Sequence, residues 1–275
     1  MQRAVWSAAF AVAVLSQAAT AQSVTRYVRY EAGGDVSYGI LEADRVHQLS
    51  GDLFDSPRRT GRSMNLAEVR LLAPTVPSKV LAVGLNYQSH LGERSPSAYP
   101  GLFAKLPTSI VGTGEPIVIP PDARNVHYEG ELVIVIGRRA SRVSAEEAHQ
   151  YIFGVTAGND VSERDWQQAD LQWFRAKASD TFGPLGPAIA SGLDYNNLLV
   201  QTRVNGEVRQ SESSADLIFD IDEIVSYVSR YVTLMPGDVI FTGTPGSTQA
   251  MQPGDAVEIE VEGVGVLRNP VRAGR

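Results

Sequence analysis

The chain has 275 residues, with 24 Lys plus Arg against 31 Asp plus Glu and a formal net charge of −7. Apolar residues make up 43% and charged residues 20%, a globular composition rather than a disordered or collagen-like one. The acidic balance argues against nucleic acid as a partner, because phosphate binding needs clustered cations, and the lack of Cys excludes disulfides, thiolate metal sites and Cys nucleophiles.

Residues 1–21 read as a secretory signal peptide. Arg3 gives a positive start, Ala4 to Leu15 is apolar, and Ala19-Thr20-Ala21 is a small-x-small cleavage pattern before Gln22. The apolar run is shorter than the roughly 20 residues of a membrane-spanning helix. The expectation is therefore an exported protein, periplasmic or secreted, with no stable membrane insertion after cleavage. A start misassigned upstream of Gln22 would leave it cytoplasmic instead; the next Met, Met64, falls inside the predicted fold.

Val24 to Glu31, Val36 to Glu42 and Arg45 to Leu49 are short runs separated by turn residues and predict a meander. Leu66 to Leu72 predicts a short helix. The cluster Ala73-Pro74-Thr75-Val76-Pro77 marks a boundary between a small β-rich domain, 22–75, and a larger one, 76–275. Val80 to Gly84 is a buried strand, followed by a long irregular stretch over 86–102, the length of a functional lid. Glu131 to Gly137 is apolar on both faces and predicts a central strand. Ser144 and Glu147 form a capping-box pattern that starts a helix to Tyr151. Phe153 to Gly158 predicts a strand and Ser162 to Lys177 a helix. Asn205-Gly206 predicts a hairpin, and Ile221 to Val232 a helix. Pro236-Gly237-Asp238 and Pro253-Gly254-Asp255 are turns feeding strands at Val239 and Ala256. In the second of these, Val257, Ile259 and Val261 alternate with Glu258, Glu260 and Glu262, so one face is solvated.

Glu129 and Glu131 flank Gly130 at the head of the central strand, and residues two apart on a strand share a face. Two carboxylates on one face repel each other, which a cation between them relieves. Asp160 ends the next predicted strand and joins the pair if the two strands are neighbours. Three carboxylates without Cys suit a hard, oxygen-liking ion: Mg²⁺, Mn²⁺ or Ca²⁺. His127 has the parity to be a fourth ligand; a structural strand-edge histidine is the plainer reading.

Six segments in order resemble motifs of the fumarylacetoacetate hydrolase family. They are Gly84-Leu85-Asn86-Tyr87 with His90 and Glu93; Lys105-Leu106-Pro107-Thr108; Tyr128 to Leu132; Asn159 to Gln167; Lys177 to Pro187; and Thr242 to Gly246. The resemblance implies a β-rich α+β fold, with a β-sandwich or roll as the catalytic domain and a homodimer as the assembly. It implies Mg²⁺ or Mn²⁺ on Glu129, Glu131 and Asp160, and a diketo or other 2-oxo acid substrate. The late loop departs from the family's usual continuation at Ser247.

Such an acid can be cleaved through an enolate stabilised by the ion, which acts as a Lewis acid. His90 is the candidate base, with Glu93 brought beside it by one helical turn to orient the ring. Lys177 is a candidate oxyanion or carboxylate partner. Lys105, Arg164, Gln167 and Thr244 are candidate substrate-binding residues, with Arg164 and Gln167 on one helix face. The expected activity is metal-dependent hydrolysis of a C–C bond in an acylpyruvate-like acid. The alternatives are oxaloacetate decarboxylation, isomerisation of a 2-hydroxy-diene-dioate, or a non-catalytic exported Ca²⁺-binding protein.

Overall fold

The computed structural model describes residues 23–275, so the predicted signal peptide lies outside the described residues. Strands β1 (Thr25–Ala32), β2 (Asp35–Glu42) and β3 (Arg45–Ser50) form the expected meander, and β4 (Arg58–Asn65) extends it. The run expected as a helix from Leu66 is instead a 3-10 turn over Leu66–Glu68 followed by β5 (Arg70–Leu72). Pairing of β5 with Arg29 to Glu31 of β1 overrides the local helical pattern.

β6 (Val80–Gly84) leads into a single helical turn, α1 (Gln88–Leu91), and β7 (Gly101–Lys105) returns along β6. Short strands β8 (Ile110–Val111), β9 (Ile117–Ile119) and β10 (Val126–His127) precede β11 (Gly130–Ile136). Then come α2 (Ala145–Ala148), β12 (Ile152–Asn159), β13 (Ser162–Glu163), α3 (Arg164–Ala169), α4 (Phe174–Ala178) and β14 (Gly183–Ser191). The chain ends with β15 (Leu199–Val204), β16 (Glu207–Ser213), α5 (Ile221–Tyr231), β17 (Val239–Phe241), β18 (Ala256–Val261) and β19 (Gly265–Ala273).

Two more of the predicted helices differ from expectation. Ser144 sits at the N-cap of α2, but its hydroxyl lies 3.4 Å from Glu147 Oε2 and does not cap a backbone N–H, and α2 passes into a 3-10 turn after one turn. The single helix expected over 162–177 is broken into β13, α3 and α4. β13 pairs with β10, Glu163 caps α3 by accepting from Trp166 N–H at 2.6 Å, and Arg175 forks onto Asp170 (2.6 and 2.9 Å) across the break.

A large mixed sheet runs in the order β4-β3-β2-β1-β14-β12-β11-β17-β6-β7, and a second sheet in the order β16-β15-β18-β19-β9 packs against it. β11 is central, as its two apolar faces require. Leu132, Ile134 and Ile136 join Val257, Ile259, Val261 and the buried face of α5 in one core. Val133 and Val135 join Val80, Ala82, Val239 and Phe241 in the other. Among the described residues no helix is long and apolar enough to cross a membrane.

Candidate active site

The head of β11 carries the acidic residues. β11 and β12 are antiparallel with Gly130 opposite Asn159, so Asp160 lies beside Glu129 and its N–H donates to Glu129 O at 2.8 Å. One carboxylate oxygen from each of Glu129, Glu131 and Asp160 lies within 4.8 Å of the others, and all three residues are buried. The intervening residue must be glycine. A Cβ on Gly130 would stand 3.0 Å from Ile259 Cδ1 and collide with Thr202 Oγ1, because the second sheet packs there. Gly243, at φ +112°, turns its N–H onto Glu131 Oε2 at 2.8 Å.

Three cations meet the three acids. Lys177 Nζ, buried on α4, donates to Glu129 Oε2 and Asp160 Oδ2, each at 2.6 Å. Arg164, at the start of α3, donates to Glu129 Oε1 (2.5 Å), Thr248 Oγ1 (2.9 Å) and Gln167 Oε1 (2.7 Å). Lys105 Nζ lies behind the acids, 2.5 Å from Asp160 Oδ1 and bonded to the Lys177 carbonyl. Lys105 was expected to bind substrate; the structure instead uses it to hold Asp160, and it does not line the cavity in front of the acids.

Burial raises the Glu129 carboxyl, but Lys177 and Arg164 outweigh it and hold the group well below the usual carboxylate range. Glu131 goes the other way. Burial, then the Asp160 and Glu129 charges, push it well above its ordinary value, with Gly243 N–H opposing. Burial lowers the Lys105 ammonium, whereas for Lys177 the attraction of Asp160 and Glu129 exceeds the burial penalty and raises it.

His90 sits on α1 with Nδ1 2.6 Å from Gly246 O and Nε2 3.8 Å from Glu129 Oε1. A carbonyl only accepts, so Nδ1 carries the hydrogen and Nε2 is left as the basic nitrogen. Glu93 does not orient the ring as expected. α1 ends at Leu91, Gly92 turns the chain at φ +67°, and Glu93 is exposed with no ion pair to His90. His127 is not a fourth ligand: its Nδ1 meets Thr248 Oγ1 at 2.8 Å and its Nε2 meets Asn125 Oδ1 at 2.7 Å. The Thr244 hydroxyl donates to Gly130 O (2.9 Å) and accepts from Gln210 Nε2 (2.8 Å), so it braces the loop at the cavity wall.

A cavity of about 400 Å³ is lined by His90, Glu129, Glu131, Arg164, Gln167, Lys177, Thr244 and Thr248, together with Arg94 and Trp173. The structure thus brings together all the candidate residues except Lys105, which stands behind, and Glu93, which stands outside. Three residues inside the family-like motifs were given no role by the sequence reading. Ser162 Oγ lies 3.1 Å from Glu129 Oε2, Asn159 Oδ1 accepts from Glu129 N–H, and Asn86 Nδ2 ties the root of the α1 segment to Thr242 O at 2.8 Å. Polar side chains this deeply buried act through three-dimensional convergence, which spacing alone does not reveal.

The donor set fits a hard divalent ion. Glu131 is a buried carboxylate that two other carboxylates push toward protonation, with one backbone N–H as its hydrogen-bond partner. Glu129, Glu131 and Asp160 would hold such an ion, and its charge would relieve their mutual repulsion.

A buried acidic triad with a histidine and two cations around one cavity is the composition of a metal-assisted enzyme site. Residues 79–272 match the fumarylacetoacetate hydrolase C-terminal model, and residues 25–74 match the N-terminal model typified by the mycobacterial protein Rv2993c. The chain belongs to the fumarylacetoacetate hydrolase family. It is 49% identical to Protein Rv2993c of Mycobacterium tuberculosis over 231 residues, covering 82% of this chain and 87% of that one. It is 41% identical to a mitochondrial oxaloacetate tautomerase of Bos taurus, over 74% of this chain and 70% of that one. Among solved structures, a 5-carboxymethyl-2-hydroxymuconate delta-isomerase from Mycobacterium smegmatis superposes with a TM-score of 0.87 at 46% identity, over 90% of this chain and all of that one. A maleylpyruvate hydrolase from Sphingobium sp. SYK-6, in complex with manganese(II) and pyruvate, gives 0.77 at 27% identity, over 91% and 100%.

Proposed function

We propose that the protein is a divalent-metal-dependent enzyme that interconverts keto, enol or double-bond isomers of a 2-oxo acid. The observation that carries this reading is His90. Its Nε2 faces the cavity beside three buried carboxylates, while its Nδ1–H is held by Gly246 O.

When bound, the divalent ion supplies Lewis-acid stabilisation of the negative charge that builds on the enolate oxygens. His90 Nε2 takes the proton from the carbon next to the 2-oxo group and returns it to oxygen or to another carbon of the conjugated chain. The Gly246 carbonyl stabilises the imidazolium in between. Lys177 and Arg164 present remaining N–H groups to the substrate carboxylate, and the Gln167 amide N–H₂ stays available because its oxygen accepts from Arg164. The three acids and three cations of the site balance, so a divalent ion leaves a positive pocket suited to a dianion.

Identity of 41% and 46% to a tautomerase and an isomerase supports isomerisation over the expected hydrolysis. Hydrolysis of an acylpyruvate-like C–C bond is the second reading. It is supported by the shared fold of the manganese- and pyruvate-bound hydrolase, and His90 would then activate a water. We further propose that residues 1–21 direct export and that the assembly is a homodimer. N-terminal sequencing of the exported protein and sedimentation analysis test these two points.

The functional test follows the ultraviolet enol band of oxaloacetate and of acetylpyruvate, with Mn²⁺ or Mg²⁺ and again with EDTA. Metal-dependent equilibration of the band without release of a second acid is the expected result. Release of acetate and pyruvate from acetylpyruvate would select the hydrolytic reading. A band indifferent to metal and protein would overturn both.

A further inference from the structure

A chain of hydrogen bonds joins the second sheet to His90 without passing through the cavity. Glu212, on β16, is half-buried, and among the described residues its carboxylate meets one side chain only, accepting from Ser89 Oγ at 2.6 Å. That is the length of a charge-assisted bond. Ser89 Oγ in turn accepts from Gly246 N–H at 2.9 Å. Gly246 O then accepts from His90 Nδ1 at 2.6 Å. Neither Glu212 nor Ser89 lines the cavity of the acidic site.

The donors and acceptors in this chain admit one order. A carboxylate only accepts, so the single Ser89 hydroxyl hydrogen points at Glu212 and the oxygen is left to receive Gly246 N–H. Gln210, two residues before Glu212 and on the same face of β16, donates to Pro245 O at 2.5 Å. The peptide between Pro245 and Gly246 is therefore clamped at both edges, its C=O by Gln210 and its N–H by Ser89 and Glu212. Packing does not hold it: Gly246 sits at φ +59°, and nothing lies within 4 Å of where a Cβ would stand. A glycine with that freedom can turn its own carbonyl away from His90 unless the preceding peptide plane is fixed.

We propose that Glu212 is a positioning residue for His90. Acting through Ser89 and the clamped peptide, it aims Gly246 O at Nδ1 and keeps the ring in the tautomer whose basic Nε2 faces Glu129. It is the orienting carboxylate that Glu93 was expected to be, displaced to another strand and acting at one remove. The effect on turnover rests on His90 as the base; the effect on the ring does not. The competing role for Glu212 is a plain tie between α1 and the second sheet, and such a tie is indifferent to the tautomer of His90.

The test reads the ring directly. The protein has four histidines, so the ¹⁵N signals of His90 are assigned by their loss in His90→Ala. Spectra are taken on the Mg²⁺-loaded protein at about pH 8, where imidazole is neutral. The wild type is expected to show the Nδ1–H form. Glu212→Ala and Ser89→Ala shift it toward a mixture of tautomers, and Glu212→Gln, whose amide oxygen still accepts from Ser89, restores the wild-type signals. With oxaloacetate, kcat falls about three- to tenfold in either alanine variant, the scale of one lost hydrogen bond, and no further in the double variant. KM and the Mn²⁺-induced melting shift stay put. Wild-type signals in Glu212→Ala overturn the proposal, as does an Nε2–H form in the wild type. A fall in the Mn²⁺ shift together with kcat assigns Glu212 to general bracing and also overturns it. Undiminished turnover in His90→Ala overturns the base role and the expected effect on kcat, while the spectra still decide whether Glu212 sets the ring.

Discussion

Two strands of this chain carry a Glu-x-Glu pair, and their fates diverge. Glu129 and Glu131 stand at the head of β11; Glu258 and Glu260 stand on β18. The Glu129 side chain is 5% exposed, against 25% for Glu258 and 41% for Glu260. The β18 pair faces Arg203 at 3.2 and 2.6 Å, and Glu258 also faces Arg268 at 3.2 Å, all on the outer face of the second sheet where water screens them. The β11 pair is joined by a third carboxylate and is shut away from water, so the charges there interact more strongly than at the surface. Spacing is common to both pairs. Burial and a converging neighbouring strand make one of them a candidate metal centre.

The largest contrast is expected from substitution of the two pairs. Glu131→Ala is expected to abolish turnover and the rise in melting temperature with Mn²⁺, whereas Glu260→Ala leaves both intact. At a metal concentration about a hundredfold over Kd the lost linkage is about 2.7 kcal/mol. Equal Mn²⁺ shifts in the two variants would erase the distinction. Next in size, His90→Ala is expected to lower kcat by about 10²- to 10⁴-fold while keeping the Mn²⁺-induced shift, which separates the base from the ligands. Undiminished turnover would remove His90 from the proton transfer.

Lys177→Met leaves Glu129 and Asp160 buried without their shared ammonium, and the metal-free protein should lose about 3–5 kcal/mol in chemical denaturation, recovered in part by Mn²⁺. The smallest effect concerns pH. Glu131 is raised in the folded, metal-free protein, so that state binds a proton which a metal must displace. The raised group contributes stability below the unfolded carboxyl pKa and loses it as pH rises toward the folded value, while metal affinity grows over the same interval. The Mn²⁺ melting shift should therefore be smaller at about pH 5 than at about pH 8. A shift that is flat or falls with pH would contradict the raised carboxyl.

Much of this arrangement is legible in the residues. The doubly apolar run after Glu131 announces a central strand, and β11 has an apolar core on each side. The adjacency of Asp160 to Glu129 follows once β11 and β12 are taken as neighbours. The rest is hidden for identifiable reasons. β4, with the sequence RRTGRSMN, carries no apolar alternation and exists as a strand because β3 pairs with it. The direction of Lys105 depends on the fold carrying β7 behind Asp160, a non-local fact. The pairing of Glu93 with His90 rested on a helical turn continuing, and Gly92 ends it one residue too soon. The contact of His90 with Gly246 joins residues 156 apart in sequence, which no local pattern encodes.

β1 divides one of its sides between two partners. Thr25 to Tyr27 pair with Ser191 to Ile189 of β14, and Arg29 to Glu31 pair with β5. The N-terminal strands are therefore not a bead tethered to the catalytic sheet but a strip sewn along its margin. Without them the last residues of β14 would present bare N–H and C=O groups to any passing strand, the ordinary start of aggregation. The strip moves that margin outward to β4, where the exposed Arg58 and Arg62 disfavour further strand addition. Removing residues 25–74 would thus be felt first in solubility, before any change in chemistry at the far end of β11.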